Sequence, residues 1–313
     1  MATIGIMIEG QEDLTWERLF RLAEAVEASG FESLFRSDHL TSLGGSVKRT
    51  ALALWPSMTA LAMRTQRIRF GPMVCSMTFR QPAMLAKMAA AVDVLSAGRL
   101  DLGLGAGWHA VEHRMFGIDF PAYQTRLEML DEGAQVIKAL WSGRPATLTG
   151  QHYRLEAAES YPRPAQSQPT IIMGGKGSKT LQLVAQHATE WNCAYARLDL
   201  FRQKSAQLDE SCAAIGRDPA TLRRSLMIPF VIGRDEQTIQ DRINAHRMMF
   251  STLPSTHKEW IAAGFPGGAP QQLVEQLKAF EEAGVERFML QHNDLDDLAS
   301  LELLAGQVLP HFG

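Results

Sequence analysis

The sequence is poor in cysteine, in net charge and in long apolar runs. It has three cysteines, Cys75, Cys193 and Cys212, an odd number set far apart. Neither a disulfide framework nor a zinc ribbon can be built from them. No run reaches the roughly 18 apolar residues of a membrane helix. The nearest, Thr50 to Met63, is short and is interrupted by Pro56. The N-terminus, MATIGIMIEG, lacks a basic region ahead of an apolar one. No signal peptide is therefore expected, and a cytoplasmic location is. The charge is small as well: 31 Lys and Arg against 34 Asp and Glu leave −3 over 313 residues. A slightly acidic chain argues against nucleic acid as the main partner. There is no low-complexity tract and no linker, so one domain, residues 1–313, is expected.

What is present is a repeat of short apolar runs and longer amphipathic ones. The strand-like runs are Thr3–Ile8, Ser33–Phe35, Ile68–Val74, Arg99–Gly105, Thr170–Met173, Thr189–Cys193, Ser225–Ile232 and Glu286–Gln291. Several are apolar on both faces, as parallel strands buried under helices are. Between them, stripes such as Leu19, Leu22, Ala23 and Val26, or Leu127, Leu130, Ala134 and Ile137, keep helical spacing. Three helices end in a glycine and run directly into a strand, at Gly30, Gly98 and Gly284. That is the grammar of a repeating αβ unit. Eight units imply an α/β fold of the (β/α)8 TIM-barrel type. An open doubly wound sheet shares the same local grammar. Two segments exceed a minimal barrel: residues 143–169 read as a hairpin before the fifth strand, and residues 250–270 as a lid before the last helix.

Barrel chemistry gathers on the loops after the strands. After the second strand stands Asp38-His39. A histidine there can move a proton near neutral pH, with Asp38 to orient it or stabilise its cation. The third strand ends in small and apolar residues, Met73, Val74 and Cys75, suited to backing a flat ring, with Cys75 as packing. The fourth runs Gly103-Leu104-Gly105-Ala106-Gly107-Trp108. This G-x-G-x-G lacks the spacing and the downstream acid of a dinucleotide fingerprint. His109 to His113 matches H-x-x-E-H, a zinc pattern that needs a third ligand, and the sequence identifies none. After the fifth strand come Gly174-Gly175-Lys176-Gly177-Ser178-Lys179 and then a helix. Free N–H groups at a helix start bind phosphate, and glycines permit the approach. The Walker pattern fails, because Ser178 and Met173 stand where it requires glycine. Asn192 and His292, at the ends of the sixth and eighth strands, are further candidates for the pocket lining.

These residues resemble the luciferase-like flavin/deazaflavin oxidoreductase superfamily, and within it the coenzyme F420-dependent branch. The resemblance is carried by SDHL (Ser37–Leu40), by Arg80–Phe120, by Arg126–Gly143 and by Pro169–Asn192. It implies a TIM-type barrel, a homodimer, and a flavin-like ring at the C-terminal ends of the strands. It also implies a non-prolyl cis peptide at Met73–Val74 behind the ring. Asp38 and His39 match the family's acid–base pair, and Gly174, Gly175, Lys176, Gly177 and Ser178 its phosphate turn. Cys75, Gly107 and Trp108 fall beside the cofactor, and no metal is implied. The sugar-phosphate dehydrogenases of this branch place a catalytic Glu where this chain has Trp108. Trp108 and His109, with Asn192 and His292, are then expected to wall a substrate pocket, and glucose 6-phosphate is not the expected substrate. The reaction implied is hydride transfer between F420 and a small organic molecule, with His39 moving the proton. The alternative is an FMN-dependent monooxygenase served by a separate reductase.

Overall fold

The computed structural model describes all 313 residues. In chain order its strands are β1 (Thr3–Ile8), β2 (Ser33–Arg36), β3 (Arg69–Pro72), β4 (Cys75–Ser76), β5 (Leu102–Gly105), β6 (Ala146–Thr149) and β7 (Arg154–Ala158). There follow β8 (Ile171–Gly174), β9 (Glu190–Ala194), β10 (Arg223–Pro229), β11 (Val231–Ile232), β12 (Gly267–Gly268) and β13 (Arg287–Gln291). The helices are α1 (Trp16–Ala28), α2 (Leu54–Arg64), α3 (Pro82–Leu95), α4 (Ala110–Met115), α5 (Tyr123–Trp141) and α6 (Ser178–His187). After them come α7 (Leu198–Ala214), α8 (Glu236–Met249), α9 (His257–Ala262), α10 (Pro270–Glu282) and α11 (Leu298–Gln307). None is long and apolar enough to cross a membrane.

The main sheet runs β3-β2-β1-β13-β10-β9-β8-β5-β4. A parallel bridge between Phe70 of β3 and Leu100, just ahead of β5, joins the β3 edge to the other side of the sheet. The sheet is therefore closed, and the fold is the (β/α)8 barrel rather than the open doubly wound sheet. β3 and β4 share one strand position, expected as the single run Ile68–Val74. That run is interrupted at the Met73–Val74 peptide, which is cis. Pairing resumes between Cys75–Ser76 and Leu104–Gly105. The expected strand Ser225–Ile232 is also two: β10 stays in the barrel, and β11 leaves it to pair with β12. Apolar sequence runs on across both breaks, so composition does not mark them. Within residues 143–169, β6 and β7 form an antiparallel hairpin. Residues 250–270 carry α9 and β12.

The αβ units close for local reasons. Thr15 caps α1 by accepting from the Arg18 N–H. Leu19, Leu22, Ala23 and Val26 then face the sheet, all buried. Each Leu or Val so buried contributes about 1.5–3 kcal/mol. Gly30 ends the unit at φ +88°, a left-handed conformation that glycine adopts without a Cβ clash. The core between helices and sheet is one continuous cluster. Inside the barrel Met7, Phe35, Met73, Ile172 and Met289 form a second, smaller one. Below it, toward the strand N-termini, Arg287 meets Asp101 at 2.9 Å, Glu32 at 2.8 Å and Glu190 at 3.2 Å. The apolar plug and this ionic layer fill the barrel, which leaves its C-terminal mouth for a ligand.

Candidate active site

A cleft of about 350 Å³ opens at that mouth. Its walls come from the end of β2 (Asp38, His39), the Met73–Val74 peptide, Gly105–Trp108 after β5 and Gly174–Gly177 after β8. Asn192 and Ala194 of β9 and Met227 of β10 also line it. The β5 glycines have a steric cause. A Cβ on Gly103 would strike the Pro72 carbonyl, and one on Gly105 would strike the Val74 side chain. They allow β5 to approach the bulge at Met73–Val74. Cys75 lies behind this wall, fully buried and outside the cleft, and burial drives its thiol pKa up. It is a packing residue with no contact to the cavity.

The turn after β8 is a cradle built largely of glycine backbone. Gly175 has φ +137°, and a Cβ there would come within 2.7 Å of Thr180 Cγ2. Gly177 is the N-cap of α6, so the first N–H groups of the helix lack intrahelical acceptors and are free for a ligand. Lys176 lines the cleft and donates to the Ala194 carbonyl at 2.8 Å. Ser178 is exposed at the helix start and outside the lining, and Lys179 reaches away to Gln124. Two contributors escaped sequence reasoning. Thr180 and Tyr123 both line the cleft, their hydroxyls 3.2 Å apart.

The acid–base end requires a correction. Sequence reasoning paired His39 with its neighbour Asp38. The Asp38 carboxylate instead takes both Nη atoms of Arg80, one at 3.0 Å. His39 Nδ1 lies 2.8 Å from Glu112 Oε1, and Glu112 Oε2 accepts the Leu40 N–H at 2.9 Å. Consecutive side chains of an extended segment point to opposite sides, so Asp38 and His39 diverge. Burial pushes the His39 pKa down, but the Glu112 hydrogen bond and charge outweigh it and leave the imidazole above its usual range. Glu112 belongs to the H-x-x-E-H pattern. His113, the pattern's last residue, bonds the His109 carbonyl at 2.8 Å and Thr78 Oγ1 at 2.6 Å. No three His, Cys, Asp or Glu side chains are grouped to hold a metal ion.

Of the four expected substrate-pocket residues, Trp108 and Asn192 line the cleft. The Trp108 ring stands edge-on to His39, with centroids 5.5 Å apart, and is largely exposed. His109 packs behind, against both rings, and does not reach the lining. His292 is a second correction. It is buried, and lines a separate small void with His246, Arg242 and Asp297.

The sequence model of the family described as luciferase-like monooxygenase matches residues 2–287. The chain belongs to this family. Among luciferase-like relatives, the chain is 29% identical to an F420-dependent hydroxymycolic acid dehydrogenase of Mycobacterium tuberculosis, over 98% of this chain and 87% of that one. It is 27% identical to an F420-dependent glucose-6-phosphate dehydrogenase of Microbacterium testaceum, over 91% and 90% of the two chains. Its fold matches that of an F420-dependent secondary alcohol dehydrogenase in complex with an F420-acetone adduct, with TM-score 0.85, 21% identity and 99% of each chain covered.

Proposed function

We propose that this luciferase-like protein is a coenzyme F420-dependent oxidoreductase acting on a small organic substrate. One observation carries the reading: a single cleft joins the His39–Glu112 pair, the Met73–Val74 wall and the glycine-rich turn at the start of α6. Relatives named for F420 support the deazaflavin over FMN. The residues fit such a group. Gly174, Gly175 and Gly177 leave open the space that three Cβ atoms would narrow, and a helix N-terminus favours an anionic phosphate. Bound F420 supplies the hydride chemistry at its C5.

The chain's own residues do the rest. Met73 and Val74 back one face of the ring. The α6 N–H groups, with Lys176, Thr180 and Tyr123 around them, take the phosphate. Glu112 accepts the Nδ1–H of His39, which fixes the tautomer and leaves Nε2 to take or give the proton that accompanies hydride transfer. Asp38 acts at one remove: with Arg80 it braces the end of β2. Trp108 supports a substrate other than a sugar phosphate. We also propose a homodimer. The packed pair α2 and α3 presents Met63, Met84, Val94 and Leu95 to solvent, an apolar face that a second copy would cover; light scattering reads the mass directly.

The test is a fluorescence titration of the purified protein with F420 and, separately, with FMN. F420 is expected to bind tightly and FMN weakly. Tight FMN binding without F420 binding overturns the reading in favour of a flavin monooxygenase.

A further inference from the structure

Two neighbours on α4 serve different walls of the cleft. Glu112 reaches His39 after β2, and His113 reaches Thr78 after β4. From His113 a short polar chain leads back to the cavity. His113 Nε2 lies 2.6 Å from Thr78 Oγ1, and Thr78 Oγ1 lies 2.6 Å from Ser76 Oγ. His113 and Ser76 are buried, and Ser76 lines the cleft together with Met73, Val74 and Gly107. The strand's alternation turns the Ser76 side chain that way. Cys75 and Met77 both pack in the outer core, so Ser76 between them faces the barrel mouth. Gly107 leaves its hydroxyl uncovered, since a Cβ there would collide with Ser76 Oγ.

The chain has one direction. His113 Nδ1 lies 2.8 Å from the His109 carbonyl, which can only accept. In the neutral imidazole the proton is therefore on Nδ1, and Nε2 is a bare acceptor. Thr78 must donate to Nε2. With its one proton so used, Thr78 accepts from Ser76. The Ser76 proton is then committed inside the wall, and its oxygen offers lone pairs alone to the cleft. Phe79 and Phe120 pack on the His113 ring, centroids 4.8 and 4.6 Å away, and hold its orientation.

We propose that Ser76, fixed as an acceptor by Thr78 and His113, takes an N–H on the rim of the ring that Met73 and Val74 back. Ser76 is the binding residue; Thr78 and His113 are positioning residues. An oxidised deazaflavin carries one ring N–H, on its pyrimidine edge between two carbonyls. A serine free to rotate could turn its proton to either carbonyl. The fixed serine can meet only the N–H between them, and so sets how that edge is seated. The proposal rests on the F420 reading above.

The first measurement needs no cofactor. Nitrogen-15 NMR of the His113 ring at pH 8 should show Nδ1 protonated and Nε2 bare. A protonated Nε2 overturns the direction of the chain. The second is F420 affinity, read by fluorescence titration. Ser76→Ala should raise the dissociation constant about fivefold, the equivalent of one hydrogen bond of about 1 kcal/mol. Thr78 does not line the cleft, yet Thr78→Val should raise it by a similar factor, because the Ser76 proton is freed to turn outward. Thr78→Ser should keep wild-type affinity. The double variant of Ser76→Ala and Thr78→Val should bind no more weakly than Ser76→Ala alone, since both act at one oxygen. F420 methylated at the ring N–H should bind the wild type less tightly than F420 does, and that gap should shrink in Ser76→Ala. Additive losses in the double variant, unchanged affinity in Ser76→Ala, or an equal methylation penalty in both proteins overturns the proposal. Wild-type protein that binds no F420 is a different result and removes the functional reading itself.

Discussion

Glu112 Oε1 lies 2.8 Å from His39 Nδ1, and Glu112 Oε2 holds the Leu40 N–H at 2.9 Å. One carboxylate therefore fixes both the ring and the backbone that carries it. Burial works against the imidazolium, and Glu112 more than offsets it. The Glu112→Gln protein keeps the burial and loses the charge, so the His39 pKa should fall from above its ordinary value to below it. An NMR titration of the ring protons reads this directly. Turnover should drop by about a hundredfold, the lower end of what a positioned general base contributes, with cofactor binding retained. A His39 titration unmoved by the substitution would falsify the role given to Glu112.

The fold was legible because each unit is locally self-consistent: a run buried on both faces, an amphipathic helix and a glycine such as Gly30 at the turn. Composition hides the breaks at Met73–Val74 and after Pro229, since apolar residues continue through both; the cis peptide at the first was expected from the family resemblance alone, and it is there. His39 was legible from its place after β2. Glu112 was not, because it sits on α4, 73 residues further along, within a pattern that reads locally as a metal motif. His292 was misplaced for a simpler reason. A strand's end does not say to which side the next side chain turns, and His292 turns away from the cleft.

Gly175→Ala should damage the cofactor site while leaving the barrel intact. The residue needs φ +137°, and a Cβ would press on Thr180 Cγ2. Either the turn opens or the start of α6 shifts, and both move the N–H groups proposed to hold the phosphate. F420 affinity should weaken by at least about tenfold, the scale of one lost charge-assisted hydrogen bond. Far-UV circular dichroism should not change. Wild-type affinity in this variant would move the phosphate elsewhere.

Arg287 should matter for stability rather than for chemistry. It is the shared cation of Asp101, Glu32 and Glu190 at the foot of the barrel. Arg287→Met leaves buried carboxylates without their partner, a change that typically costs about 3–5 kcal/mol. Calorimetry should find Tm lower by on the order of 10 °C. F420 binding below the transition should be unaffected, because the barrel's apolar plug separates this layer from the cleft. An unchanged Tm would show that Arg69, paired with Asp101, and Arg223, within 3.7 Å of Glu32 and 3.9 Å of Glu190, suffice.

The void behind β13 should make the protein acid-sensitive. His246 and His292 are both buried and face it. Burial lowers the His246 pKa to about 3 and the His292 pKa to about 4. Unfolded, each takes up its proton near pH 6.5. Between pH 6.5 and those depressed values the unfolded chain binds more protons than the folded one, so stability falls as pH falls. The slope is about 1.4 kcal/mol per pH unit for each histidine once well below pH 6.5. Denaturant melts between pH 7 and pH 5 should show the midpoint moving steadily down. His246→Gln retains a partner for Asn293, which bonds His246 Nδ1 at 3.0 Å, but removes one of the two titrations. Its pH slope over that range should be shallower than the wild type's by up to about 1.4 kcal/mol per pH unit, the contribution of one histidine. Equal slopes in the two proteins would mean that His246 is already protonated in the fold, or that the unfolded chain does not set the difference.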